Sequence, residues 1–355
     1  MIRNLRALRQ VTGILVPLAA GLIALNLGLN EQHKKASGVL PSRHINNSDT
    51  FGDWGNIGDG PALSNPEMVT IVPITHTSYP NQFYVRQEIC VSDNGYLVHY
   101  DRHSDGTVSP GTRFHNQATG QPLTSDPAGD ICYCVAGGIQ VGHFDDTPFG
   151  QVIFSTDRVI PIVGAVTALT ADGHRNVYIA SGNQIYKANV KQNSPPTNLQ
   201  IRGLSTITGL AVTTDGSLYV AAGQVYKFVN GAGGYIQDIS FSTEHMPLTP
   251  VCLAVDNTLH GDGSLYVTDE IHDRITQFDT YGNYVADLNN IAIVDPSVGI
   301  LPGGGLGQTN HSAGVLHPRG LNFGPDGTLW VVEYGRDPNP HDMTTELLRF
   351  HPKPP

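Results

Sequence analysis

Cysteine is scarce in this 355-residue chain, with thiols only at Cys90, Cys132, Cys134 and Cys252. No C-x-x-C pair occurs, which excludes a zinc ribbon and a thioredoxin-type redox centre. H-E-x-x-H, His-x-His and Gly-x-Ser-x-Gly are also missing, although the chain holds 15 histidines. That removes the common metalloprotease and hydrolase signatures. Basic residues are few: Lys and Arg total 20 against 31 Asp and Glu, for a net charge of −11. Phosphate backbones are held by basic faces, so a nucleic-acid partner is excluded. No long apolar stripe of period 3.6 appears, so helices contribute little to the folded body.

Long hydrophobic runs are limited to one place. Arg3, Arg6 and Arg9 precede an apolar segment from Val11 to Leu29. A basic start followed by such a segment suits a signal peptide or an uncleaved membrane anchor over residues 1–30. Residues 31–66 are polar and rich in Gly, Asn, Ser and Pro, and read as a flexible linker. The remaining body, 67–355, is then expected outside the cytoplasm: secreted, periplasmic, or anchored through residues 11–29. Disulfides persist in such a compartment. Cys132 and Cys134 lie too close along one strand to bridge each other, so a bond from one of them to Cys90 is expected. Cys252 is expected to be buried as a small apolar residue.

What the chain has in quantity is glycine, 40 residues, and proline, 24. Much of it punctuates a repeat. Gly209-Leu-Ala-Val-Thr-Thr-Asp-Gly-Ser-Leu-Tyr-Val220, the segment from Cys252 to Val267, and Gly320-Leu-Asn-Phe-Gly-Pro-Asp-Gly-Thr-Leu-Trp-Val331 share one pattern. Each is a small apolar strand, a Gly-containing turn and a second apolar strand. A hairpin of this kind cannot bury its apolar face alone, so its copies must stack. Second strands are expected at 89–91, 152–154, 177–179, 218–220, 265–267 and 329–331. Their spacings include 41 and 47 residues, the length of a four-stranded blade. The spacing of 25 between 152 and 177 is too short for one. The expected fold is therefore an all-β β-propeller of six blades, with five or seven also compatible.

One stretch carries a family resemblance. Leu253-Ala-Val-Asp256, Gly263-Ser-Leu-Tyr-Val-Thr-Asp269 and His272-Asp-Arg-Ile-Thr-Gln-Phe-Asp279, followed by Gly282-Asn-Tyr284, resemble one complete NHL repeat. The resemblance implies a propeller that serves as a binding surface. Pro318 to Gly335, with Leu329-Trp-Val-Val-Glu333-Tyr-Gly335, is similar to strands of two propeller enzyme families. One is the quinoprotein glucose/sorbosone dehydrogenases, the other the virginiamycin B lyase group. The first half holds no match to the dehydrogenase's catalytic-base segment, so PQQ is less expected than a divalent cation.

Candidate site residues follow from the ring. Asp93, Asp269 and Glu333 end second strands, which converge at one end of a propeller channel. Carboxylates gathered around an axis repel one another, so they favour a cation such as Ca²⁺ or raised pKa values. Asp269 has a second reading, in which it only fixes its own turn. Glu270, His272 and Arg274 lie in the next loop, and Tyr334, Arg336 and His341 in or beside the last loop; all are ligand-binding candidates. Glu333, His317 and Arg319 are the catalytic candidates, the first two as acid/base or metal ligands and Arg319 as an anion stabiliser. Two functions remain open: an exported or tethered scaffold that binds a protein, glycan or small molecule, and an extracytoplasmic enzyme, dehydrogenase-like or a metal-dependent lyase or hydrolase.

Overall fold

The computed structural model describes residues 63, 65–76, 84–102, 108–116, 122–146, 152–243, 248–258, 261–288, 317–334 and 345–350. The segment expected as signal or anchor, and most of the expected linker, lie outside these residues. Among the described residues no helix is long and apolar enough to cross a membrane.

The chain is an all-β propeller built from consecutive antiparallel sheets. The first holds β1 (Pro66–His76), β2 (Tyr84–Asp93), β3 (Tyr96–Arg102) and β4 (Val108–Asn116). The second holds β5 (Leu123–Ser125), β6 (Ile131–Val135), β7 (Gly138–Asp146) and β8 (Val152–Pro161). The third holds β9 (Val166–Ala171), β10 (Asn176–Ser181), β11 (Gln184–Asn189) and β12 (Thr197–Asn198). The fourth holds β13 (Gly209–Val212), β14 (Leu218–Ala221), β15 (Val225–Gly231) and β16 (Gly234–Gln237). The fifth holds β17 (Pro250–Val255), β18 (Leu265–Asp269), β19 (Arg274–Phe278) and β20 (Tyr284–Asp287). The last sheet has three strands, β21 (Pro318–Phe323), β22 (Leu329–Tyr334) and β23 (Thr345–Phe350). Five complete four-stranded blades are thus present rather than the six expected, and the sixth sheet is three-stranded among the described residues.

Local chemistry explains the hairpins. Asn94 and Gly95 join β2 to β3 with φ values of 46° and 83°. Two successive positive φ values match the right-handed twist of the strands, and Asn and Gly tolerate them best. The inner strand Gly209–Val212 is buried along its whole length. Leu218, Leu265 and Leu329 each open the second strand of their own sheet, as the repeat predicts.

The first strands of neighbouring sheets touch in sequence, and β21 returns to touch β1. Apolar clusters fill the gaps between sheets. Val72, Cys90 and Leu97 of the first meet Leu123, Ile131 and Tyr133 of the second. Tyr178 and Ile185 of the third meet Leu218, Val220 and Phe228 of the fourth. Trp330 and Val332 of the last pack on Val69, Ile71 and Tyr100 of the first. At that closure Gly320 leaves no room for a side chain. A Cβ there would lie 2.5 Å from Met68 Cα and 2.7 Å from the Glu67 carbonyl oxygen. Both obstacles are backbone, so Gly320→Ala is expected to cost about 1–3 kcal/mol. Chemical denaturation of the two proteins would measure it; equal midpoints would show that the closure is looser than this.

Two expectations need correction. Val152–Phe154 belongs to the outer strand β8, and the second strand of its blade is β6. The 25-residue spacing therefore runs from an outer strand to a second strand, not between equivalent strands. The four thiols are all free and buried. Alternation along β6 sends Cys132 and Cys134 to the same face, into the cluster shared with the third sheet, while Cys90 faces the gap on the other side. The expected bridge would have to pass through the second sheet. Cys252 is buried as expected, its sulfur 3.5 Å from Met68 Sδ.

Candidate functional site at the channel mouth

Three first strands begin alike in sequence: Asn65-Pro66-Glu67, Thr249-Pro250-Val251 and His317-Pro318-Arg319. In each, the proline pairs with the residue that ends the second strand: Pro66 with Asp93, Pro250 with Asp269, and Pro318 with Glu333. A proline donates no ladder hydrogen bond and is tolerated at a strand's first position. Directly after it the register slips in all three sheets. A bulge of this kind frees one residue from the ladder and re-aims its side chain. The freed residues are Glu67 in β1, Val251 and Cys252 in β17, and Arg319 in β21.

These residues line a cavity of about 340 Å³. Its other walls come from Pro122, from β9 at Thr167 to Leu169, from Thr208, Gly209 and Leu210, and from Glu270. Since the walls are the starting ends of first strands from around the ring, the cavity is the mouth of the central channel. Burial is the main cause that raises the Glu67 carboxyl above its ordinary value; the Arg319 guanidinium opposes this and the Asp93 carboxylate adds to it. Glu67 Oε1 accepts a hydrogen bond from Asn65 Nδ2 at 3.3 Å. Arg319 crosses between sheets: Nε donates to Glu270 Oε1 at 3.1 Å and Nη1 to Asn65 Oδ1 at 2.8 Å. Its guanidinium also stacks 4.5 Å from the Tyr334 ring centre. Thr167 Oγ1 is buried with no hydrogen-bond partner.

The residues expected from sequence divide into groups. Glu270 and Arg319 reach the cavity, and Tyr334 holds Arg319 in place. His317 starts the last sheet with a positive φ of 47°. Its backbone N–H donates to Asp273 Oδ1 at 2.8 Å, and its Nδ1 lies 3.1 Å from the Glu270 carbonyl oxygen. Asp93 accepts the Asn65 N–H at 2.6 Å. Asp269 is fully buried and accepts from His272 Nδ1 at 2.7 Å and from Arg274 Nη2 at 3.1 Å. Arg274 also faces Asp287, so Asp269, His272 and Arg274 form a clamp within the fifth blade. The side chain of Glu333, and all of Arg336 and His341, lie outside the described residues.

The expected gathering of carboxylates for Ca²⁺ does not occur among the described groups. That ion takes six to eight oxygens. Here Asp93 and Asp269 are committed to their own blades, and the Arg319 cation contacts Glu270 at the mouth itself. Sequence reasoning missed Glu67, Asn65, Thr167 and Thr208. The repeated Pro-x at the opening of first strands was the available signal for Glu67.

No family model and no curated protein matches the chain. Among solved structures it is similar to regucalcin, a calcium-binding protein of Agrobacterium tumefaciens, at 13% identity with a TM-score of 0.49 over 83% of this chain and 94% of that one. It is similar to a gluconolactonase of Xanthomonas campestris at 14% identity and a TM-score of 0.45, covering 82% and 98%. A catalytically inactive virginiamycin B lyase of Staphylococcus aureus gives 14% and 0.43, covering 81% and 87%. At such low identity and TM-score these likenesses assign no activity to this chain.

Proposed function

We propose that this protein is a binding propeller that takes a small, hydroxyl-rich molecule at its channel mouth. The carrying observation is the pair of bulged residues, Glu67 and Arg319, aimed into one cavity of about 340 Å³. That volume is at the lower end for small-molecule pockets and suits a monosaccharide or sugar acid better than a protein segment. Burial raises the Glu67 carboxyl above its ordinary value, and its oxygens can accept hydrogen bonds from ligand hydroxyls. Arg319, already tied to Glu270 and Asn65, adds a charged donor at the same mouth. The same reading takes the fifth blade as an NHL-like unit and the three-stranded sheet as the last blade of a six-bladed ring. It also places the body outside the cytoplasm, with residues 11–29 as signal or anchor.

Calorimetric titration with a panel of monosaccharides and sugar acids tests this. At least one is expected to bind, and Arg319→Met is expected to weaken it about tenfold or more, the value of a hydrogen bond from a charged group. No binding by any member, or equal binding by the variant, would reject the reading.

A second reading, an enzyme, is favoured by Glu67 alone. Burial holds this carboxyl above its ordinary value, the direction that favours general acid/base work. Product formation from a bound sugar, lost in Glu67→Gln while binding persists, would select it over the scaffold.

A further inference from the structure

A second group of ligand-type side chains lies far from the channel mouth. Since Pro122 is at the mouth and β5 runs away from it, the turn at Asp126–Asp130 is at the opposite end of the second blade. There Asp130, His143 on β7 and Asp157 on β8 bring one donor atom each to within 4.8 Å of one another. We propose that these three residues form a binding site for a borderline first-row divalent cation of the Zn²⁺ class, with the Lys191 ammonium as its resident competitor.

The state of His143 points to a ligand. Its Nδ1 is buried, has no hydrogen-bond partner, and faces Asp157 Oδ1 at 3.3 Å. Its other nitrogen, Nε2, lies 3.2 Å from Asp145 Oδ1, and Asp145 Oδ2 in turn accepts from Ser155 Oγ at 2.5 Å. Asp145 thus faces one ring nitrogen and Asp157 the other, and the buried Nδ1 is the one turned to Asp157. Metal-binding histidines commonly carry a carboxylate at their far nitrogen. A buried ring nitrogen that makes no hydrogen bond is uncommon and calls for an occupant.

The resident cations agree with this. Lys191 Nζ sits 2.7 Å from Asp130 Oδ1 and 3.4 Å from Asp157 Oδ2, so it bridges two of the three ligands. Its stem comes from the third blade and its side chain is 45% exposed, so it can swing into water. Arg175 pairs with the other oxygen of Asp130 and need not move. A cation bonded at about 2.0–2.2 Å to one nitrogen and two carboxylate oxygens fits the donor preferences of Zn²⁺ and its first-row neighbours, with water completing the shell. Bound there, it would pin the outer strand β8 to the turn before β6.

Titration of the full chain with Zn²⁺ alone, followed by calorimetry, separates this from an ordinary ion-pair network. Lys191→Met is expected to bind Zn²⁺ about two- to fivefold tighter than the natural protein, because the competitor is gone. Asp145→Asn is expected to bind about ten- to hundredfold more weakly. His143→Ala is expected to lose one equivalent. Zn²⁺ bound by none of these proteins, unchanged affinity in Lys191→Met, or full stoichiometry and affinity in His143→Ala would each overturn the site. Should His143→Ala fail to fold by circular dichroism, the opposite shifts in Lys191→Met and Asp145→Asn decide the matter.

Discussion

Replacing Trp330 by alanine is expected to destabilise the protein by about 3–5 kcal/mol, the largest effect of any single core truncation here. Trp330 is fully buried in β22, and its neighbours Leu63, Val69, Ile71 and Tyr100 all come from the other end of the chain. The seam between the last sheet and the first joins segments separated by most of the sequence, and no disulfide crosses it among the described residues. Truncation would leave a cavity between two rigid sheets that cannot easily collapse into it. Urea denaturation of the purified variant would measure the loss, with Trp330→Phe as a milder control. Limited proteolysis should show the first and last sheets opening before the middle ones. A loss below about 1 kcal/mol would mean that the seam contributes little, contrary to the packing described.

The second large effect concerns Asp269. Its carboxylate is fully buried, and removing it takes from Arg274, 13% exposed, the carboxylate at 3.1 Å and leaves the more distant Asp287 at 3.7 Å. Breaking a buried pair from one side costs about 3–5 kcal/mol, since the remaining charge keeps its desolvation penalty. Asp269→Ala is expected to fall in that range. Adding Arg274→Met should restore part of the loss, because the charge that has lost its buried carboxylate disappears. Thermal or urea denaturation of both variants and the double variant closes the cycle. Strict additivity would show that the two side chains do not interact. Sugar binding at the mouth is expected to survive in any variant that folds, because Asp269 belongs to a clamp inside one blade.

Much of the architecture could be read from residues because hairpin chemistry is local. The Asp-Gly and Gly-Ser turns, and small inner strands such as Gly209–Val212, announce themselves without knowledge of any neighbour. Val152-Ile-Phe154 misled for the same reason. As a short apolar run it matches a second strand, and only its pairing with β7 shows that it is an outer one. The site was partly visible: Glu270 and Arg319 reach the cavity, whereas Asp93 and Asp269, which carry the right charge at the right end, are consumed by Asn65, His272 and Arg274. Glu67 looked like a residue at the edge of a linker. Its role depends on a bulge whose effect is set by sheets hundreds of residues away.

The turns between strands and the apolar inner edge were dictated by the chain alone, since each depends on groups a few positions apart and on the cost of leaving their faces wet. Which polar groups reach the channel, and which thiols meet or miss each other, was settled only when the sheets closed around an axis. Both outcomes depend on bulges and on strand faces meeting across the ring, and no pattern along one strand encodes what its neighbour presents.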